Sequence, residues 1–298
     1  MNEDQKTQEK FAEAPPRISE TRRIIRVFLS RKVVIFGFII MIIVMIVAIF
    51  APFIAPYDPN MPDLDNLLTE PSLKHILGTD SLGRDTLSRI IYGTRASLIV
   101  GITSVAMASI IGMTVGLIAG YFGGVIYMII MRFIDSLMAF PMILLALTIG
   151  SLLGGGVNNI IIALGISLMS GYARVMCGQV LSVKENDYIM AQRSIGSSNF
   201  RIILRHIFPN CLPPLIVMMT MMLGMAILAE AGLSFLGIGV EPPDAAWGAM
   251  VSDGYRYLLR LPVLSFAPGL AIMLVVFSFN MIGDGLRDAL DPRLRGII

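Results

Sequence analysis

VVIFGFIIMIIVMIVAIF, residues 33–50, is a run of eighteen residues without a charge or a proline. At 1.5 Å per residue a helix of that length nearly crosses the roughly 30 Å hydrocarbon layer of a bilayer. The rest of the chain repeats the theme. Of 298 residues 55% are hydrophobic and only 15% charged, and the mean hydropathy is +0.77; soluble domains carry about 25% charged residues. Working outward, residues 96–131 carry no charge but are too long for one crossing, and GYFGG at 120–124 interrupts them. Residues 136–173 are again too long, and GSLLGGGVNN at 150–159 divides them. The reading is an all-α polytopic membrane protein with six transmembrane helices, near 33–50, 97–119, 125–149, 160–177, 211–230 and 262–283.

Six crossings put both termini on one side, and the basic residues choose it. Eight Lys and Arg precede the first span, five of them in RRIIRVFLSRK at 22–32, and five more lie between Arg174 and Arg205. Such clusters stay in the cytoplasm. Both termini are therefore expected there, and residues 51–95 and 233–261 outside. The division that follows is a cytoplasmic tail at 1–32, the first helix and its outer loop at 33–96, a core at 97–286 containing a cytoplasmic loop at 183–210, and a C-terminal tail at 287–298. The first twenty residues are polar, carry Pro15 and Pro16 and lack helical periodicity, a disordered pattern. The first span reads as a retained anchor, not a cleaved signal. A net charge of +2 gives no argument for nucleic acid. Cys177 and Cys211, the two cysteines, have neither disulfide-framework nor metal-site spacing.

One segment is conspicuously polar: VKENDYIMAQRSIGSSNFRIILRHIFPN, residues 183–210. Its first part, 185–194, reads as a short amphipathic helix. Gly196 suits the left-handed residue that closes a helix, and Ser197, Ser198 and Asn199 suit the cap of the next one. That second helix, FRIILRHIF, is expected to end at Pro209. Helices this short are not stable alone in water. They need a membrane surface or another protein to cover their apolar face.

Few other groups suggest chemistry. Arg132 and Asp135 lie three apart on the third span, so they share a face and are expected to pair, either for packing or along a solute path. Glu230 is placed at an interface. His75 and His206 fall on opposite sides of the membrane. The outer segment PSLKHILGTDSLGRDTLSRIIYGTRASL, 71–98, reads as an interfacial helix, with turn and cap at Gly78, Thr79 and Asp80 and with Leu82, Leu87, Ile90 and Ile91 on the bilayer edge.

The polar loop resembles the cytoplasmic loop of binding-protein-dependent ABC importers, whose pattern is Glu-Ala-Ala, three residues, Gly, nine residues, Ile, one residue, Leu-Pro. Here it falls on Met190, Ala191, Gln192, Gly196, His206, Phe208 and Pro209, of which Ala191, Gly196 and Pro209 match. Five blocks extend the resemblance from about residue 33 to the C-terminus: DYIMAQRSIG, RIILRHIFPN, GTDSLGRDTLSRIIYGTRASL, LSFLGIGVEPPDAAWG and FNMIGDGLRDALDPR. Together they are similar to the C-type permease of oligopeptide, dipeptide and nickel importers.

The resemblance implies a type I ABC importer transmembrane domain in a bacterial or archaeal cell membrane. Its implied partners are a second homologous permease, two ATP-binding subunits, an extracytoplasmic solute-binding protein and membrane lipid. ATP and Mg would be used by the ATPase subunits, with no cofactor bound here; no G-x-x-x-x-G-K-[ST] phosphate loop occurs in the chain. It implies that the loop docks into an ATPase, with Tyr188, Met190 and Ala191 on the buried face, Glu185, Arg193 and Arg201 in the docking segment's polar part, Gly196 setting the angle and Pro209 closing it. The implied solute is a dipeptide or oligopeptide, with glutathione, nickel or another metal chelate as alternatives. From a different class, an ion-coupled carrier or channel using Arg132 and Asp135 stays open, although carriers usually show internal repeats, as does a purely structural membrane subunit.

Overall fold

In the computed structural model, which describes residues 25–290, helices α1 (Lys32–Ile49), α3 (Thr86–Phe122), α6 (Val157–Lys184), α9 (Phe208–Phe235) and α11 (Val263–Leu290) are long and apolar enough to cross a membrane. Between them lie α2 (Ala51–Ile54), α4 (Gly124–Met138), α5 (Met142–Leu153), α7 (Asp187–Ser194), α8 (Asn199–Ile202) and α10 (Trp247–Tyr255). No strand occurs among the described residues, only an isolated bridge between Thr79 and Asp85. Within a bilayer no water is present to satisfy backbone groups, so helices are the expected solution. The tail expected to be disordered lies outside the described residues.

Several boundaries differ from expectation, each for a local reason. The third span is broken: α4 and α5 meet at 91° and make six crossings only if the bent pair counts as one. Pro141, at the start of α5, has no N–H to give the preceding turn and disfavours helical backbone at Phe140. The supposed interfacial helix at 71–98 is not separate, because its last thirteen residues open α3, which runs unbroken for 37 residues. Ile91 on it is buried against protein, not placed at a bilayer edge. Nor does a helix end at Pro209. A π-turn at Ile203–Ile207 leads straight into α9, and Pro209 takes the first turn, where a missing N–H costs least. Finally, α6 and α11 each run seven residues past the expected limits, so 287–290 are still helix.

What assembles these helices is small residues. Along α3, Gly112, Gly116 and Gly120 lie on one face against α6, the most extensive helix pair in the protein. A Cβ at Gly112 would stand 2.3 Å from the Met169 carbonyl oxygen, and one at Gly116 would stand 2.2 Å from that of Ala173. With lipid tails as apolar as the side chains, close backbone approach and dispersion hold such helices together. By contrast α1 fully buries only Val34 and Gly37, packs Met41, Val44 and Ala48 partly against the core, and leaves most of its other large apolar side chains uncovered by the chain.

The ends of the bundle are tied by polar groups. Arg95 donates from Nε to the Ala48 carbonyl (2.6 Å), occupying an orphan acceptor at the end of α1. At the opposite end Arg31 and Asp288 pair at 2.9 Å, joining the start of α1 to the end of α11.

The glycine contact gives a stability prediction. Gly116→Leu should lower the melting temperature of the purified chain, since overpacking costs about 1–3 kcal/mol where neighbours can shift, and here the neighbour is backbone. Gly178→Ala on α6, where a Cβ meets nothing within 4 Å, should leave it unchanged or raised. Equal melting temperatures for the two variants would show that the close approach does not hold the bundle.

Candidate functional site

The polar loop is built as two short helices on a buried floor. Asn186 precedes α7, while Glu185 ends α6 and is exposed. After α7 the chain turns at Gly196, whose φ of +77° lies in the left-handed region. The Ser197 N–H then donates to the Gln192 carbonyl at 3.1 Å, and the Gly196 N–H to that of Arg193 at 3.0 Å, so the last carbonyls of α7 are satisfied. Gln192, which departs from the family pattern, is used here: the Ser197 hydroxyl donates to its Oε1 at 2.9 Å. Ser198 Oγ accepts from the Arg201 N–H and caps α8.

Below this surface Ile189, Ile202 and Ile207 are completely buried, in one cluster with Tyr121, Tyr172, Met176 and Cys211. Above it Tyr188, Met190, Ile195, Phe200 and Leu204 are uncovered, Ile195 at 74% and Phe200 at 72%. Among the residues expected to dock, Tyr188, Met190 and Ala191 thus face outward beside exposed Arg193 and Arg201. Ile195 and Phe200 were not singled out from sequence. Their signal was available: each is a large apolar residue beside the Gly-Ser-Ser turn, where no helical face buries it. Pro209 is not in this surface; it faces a cavity.

That cavity, about 800 Å³, lies between α6, α9 and the end of α11, with Gln179, Asn210, Met218, Met222 and Arg287 in its wall. Three prolines of α9, Pro209, Pro213 and Pro214, line it. Pro213 and Pro214, inside the helix, each lack the N–H that an i−4 carbonyl would use, so the ladder is interrupted where the helix borders open space.

Arg132 and Asp135 do not form the expected pair. Asp135 is held by Arg174 of α6, and Arg132 is exposed and makes no ion pair among the described residues. Three residues apart on α4, the two still share a face, but the facing α6 offers Asp135 a better-aimed guanidinium. Glu230 is not interfacial either. It is fully buried on α9 and accepts hydrogen bonds from Ser97 Oγ (3.1 Å) and Ser234 Oγ (2.7 Å).

At the far end of the bundle residues 55–85 form an ordered cap. Asp85, not Asp80, is the N-cap of α3; its carboxylate accepts from the Ser88 N–H and hydroxyl and contacts His75 Nδ1 at 2.9 Å. Asp80 instead holds Arg84 (2.7 Å) and Arg89 (3.5 Å). Trp247, at the start of α10, donates from its indole N–H to the Ile90 carbonyl at 3.0 Å. In the same cap the Asn66 side-chain amide, with the Asp65 N–H, holds the Asp63 carboxyl below its ordinary pKa. His75 belongs to this cap and His206 to the polar loop, at opposite ends of the bundle, as expected.

Known proteins share both the sequence and the fold. Residues 112–296 match the binding-protein-dependent transport system inner membrane component family, and residues 19–71 match the N-terminal TM domain of oligopeptide transport permease C. The glutathione transport system permease protein GsiD of Pectobacterium atrosepticum is 43% identical over 91% of this chain and 90% of its own length. The dipeptide transport system permease protein DppC of Alkalihalophilus pseudofirmus is 44% identical over 93% and 91%. In fold the chain is similar to a chain of the inward-facing MetNI methionine ABC transporter, with a TM-score of 0.55 and 19% identity over 68% of this chain and 96% of that one. Five membrane-crossing helices and a bent pair, an ordered polar loop between α6 and α9, and sequence identity along nearly the whole length agree: this chain belongs to the family of binding-protein-dependent transport system inner membrane components.

Proposed function

We propose that the chain is one of two non-identical permease subunits of an ATP-driven importer, and that its solute is a peptide delivered by an extracytoplasmic binding protein. The observation that carries this reading is the loop surface: exposed Tyr188, Met190, Ile195 and Phe200 rest on a floor of fully buried Ile189 and Ile202. An apolar patch on a rigid base is what a docking partner needs. In this assignment the partner is an ATPase subunit, which uses ATP and Mg, and the loop is cytoplasmic, as its basic residues favour. The cap formed by residues 55–85 with Trp247 then faces the binding protein. Relatives named for dipeptide and glutathione transport support peptide as the solute, glutathione being itself a tripeptide.

Closure of the two ATPases moves the docked loop, and the helices that flank it carry the motion. The loop is continuous with α6 on one side and α9 on the other. Since α9 is weakened by Pro213 and Pro214 beside the cavity, bending there reshapes the cavity more readily than bending the proline-free α6 does. The cavity is half of a path open to the cytoplasm, its other wall supplied by the second permease.

Three measurements test this reading. In proteoliposomes holding both permeases and the ATPases, uptake of trialanine or reduced glutathione should need ATP and the binding protein. Ion-driven uptake by this chain alone would replace the reading with a carrier. A cysteine introduced at exposed Ser194 should react with a membrane-impermeant thiol reagent only from the cytoplasm, and one at exposed Asp244 only from outside; the reverse would invert the topology. Gly196→Val forces a β-branched residue to a φ of +77°, at a cost of roughly 1–2 kcal/mol. With open space around that position, the penalty is conformational, so Gly196→Asn, which tolerates this backbone, should retain most stimulated ATP hydrolysis while Gly196→Val loses it. Full activity of Gly196→Val would remove the turn from the docking geometry.

A further inference from the structure

Helix α3 reaches further than a membrane crossing requires. Its 37 residues span about 55 Å, against roughly 30 Å of hydrocarbon, and no proline interrupts them. Both ends are fastened. At the cap end the Asp85 carboxylate caps the helix, Arg89 donates to the Pro59 carbonyl at 2.9 Å, and Trp247 grips Ile90. At the loop end the last turn carries Tyr121, just before the chain reverses at Gly123.

Tyr121 touches both short helices of the polar loop at once. Its hydroxyl donates to Asn199 Oδ1 at 2.6 Å, at the first residue of α8. The Arg193 guanidinium, in the last turn of α7, lies over its ring at 5.8 Å from the centroid, within cation–π range. Only 7% of the residue is exposed, and its ring joins the cluster of Ile189, Ile202 and Ile207. One side chain on α3 therefore fixes the two halves of the loop across the Gly196 turn. Packing alone would be served by phenylalanine; the hydroxyl and the exposed Asn199 it meets are what packing does not explain.

We infer that Tyr121 is a positioning residue that couples the loop to the cap: α3 is the rod, and Tyr121 is its joint with the ATPase-docking loop. This rests on the permease assignment above. When the docked loop tilts, Asn199 and Arg193 move with it and the end of α3 follows; when the binding protein presses on the cap, the displacement returns by the same route. The flanking helices α6 and α9 move the cavity wall, whereas α3 reports the state of one membrane face to the other.

The test uses the complete importer in proteoliposomes, with its binding protein and trialanine or reduced glutathione as probes. Tyr121→Phe removes the hydroxyl and keeps the ring. Basal ATP hydrolysis and retention of the ATPases should match the unsubstituted complex and the melting temperature should fall by no more than a few degrees, about what one hydrogen bond contributes, while stimulation by loaded binding protein falls about three- to tenfold. Asn199→Ala should lose a similar factor, and the double variant no more than either alone, because both remove one interaction. Unaltered stimulation in Tyr121→Phe, or multiplying losses in the double variant, would overturn the inference. So would parallel loss of ATPase retention and basal hydrolysis, which would make Tyr121 a folding residue. If the unsubstituted complex is not stimulated by either probe, the permease or solute assignment fails first.

Discussion

Backbone-to-backbone contact between α3 and α6 is the constraint on which the other helices depend. Gly112, Gly116 and Gly120 let the two helices approach until a single added carbon would collide with carbonyl oxygens. Everything functional is referred to this pair. The polar loop grows directly from the end of α6, the cap sits on the start of α3, and the cavity wall is the face of α6 turned away from the contact. Were the pair to separate by the width of a side chain, Tyr121 would no longer meet Asn199 and the loop would lose its floor.

The second constraint is that buried polar groups need partners, and the protein meets it with short-range answers. Glu230 is enclosed by two serine hydroxyls, one from its own helix and one from α3. A carboxylate left alone there would be far costlier than any packing gain, so this trio fixes the register of α9 on α3. Prolines are handled in the opposite way. Pro213 and Pro214 leave acceptors on Pro209 and Asn210, which border a cavity instead of a dry core, and the π-turn at Ile203–Ile207 carries the chain from the loop into α9. Rigidity is thus concentrated at α3 and α6, compliance at α9.

Much of this was legible from the residues because transfer energies are large and local. Apolar runs of membrane length, the GYFGG break and the left-handed Gly196 each follow from a few neighbouring residues. The misses were tertiary. Asp135 has Arg132 three residues away, yet pairs with Arg174, which only the packing of α4 on α6 brings near. The α4–α5 break was signalled by Phe140-Pro141 but was outweighed by the hydropathy on both sides. Glu230 reads as interfacial from its place in the sequence, and only the meeting of α3 and α9 encloses it. Within the loop, Tyr188, Met190 and Ala191 face outward as the resemblance implied, Pro209 does not, and the exposure of Ile195 and Phe200 was hinted at by their place beside the Gly-Ser-Ser turn but shown only by the fold.

The loop's construction follows from what the docking role proposed for it requires. Exposed Ile195 and Phe200 are unfavourable in water and gain only when a partner covers them, so the free energy of docking lies in side chains that contribute nothing to the fold of this subunit. That separation works only if the surface does not collapse inward. Ile189, Ile202 and Ile207 already fill the space beneath, Tyr121 pins both halves, and the Gly196 turn holds the angle between them. The two tasks fall to different groups: the buried isoleucines and the Tyr121 ring hold the surface up, while the Tyr121 hydroxyl, through Asn199, is the link by which the proposed docking movement would pass to α3.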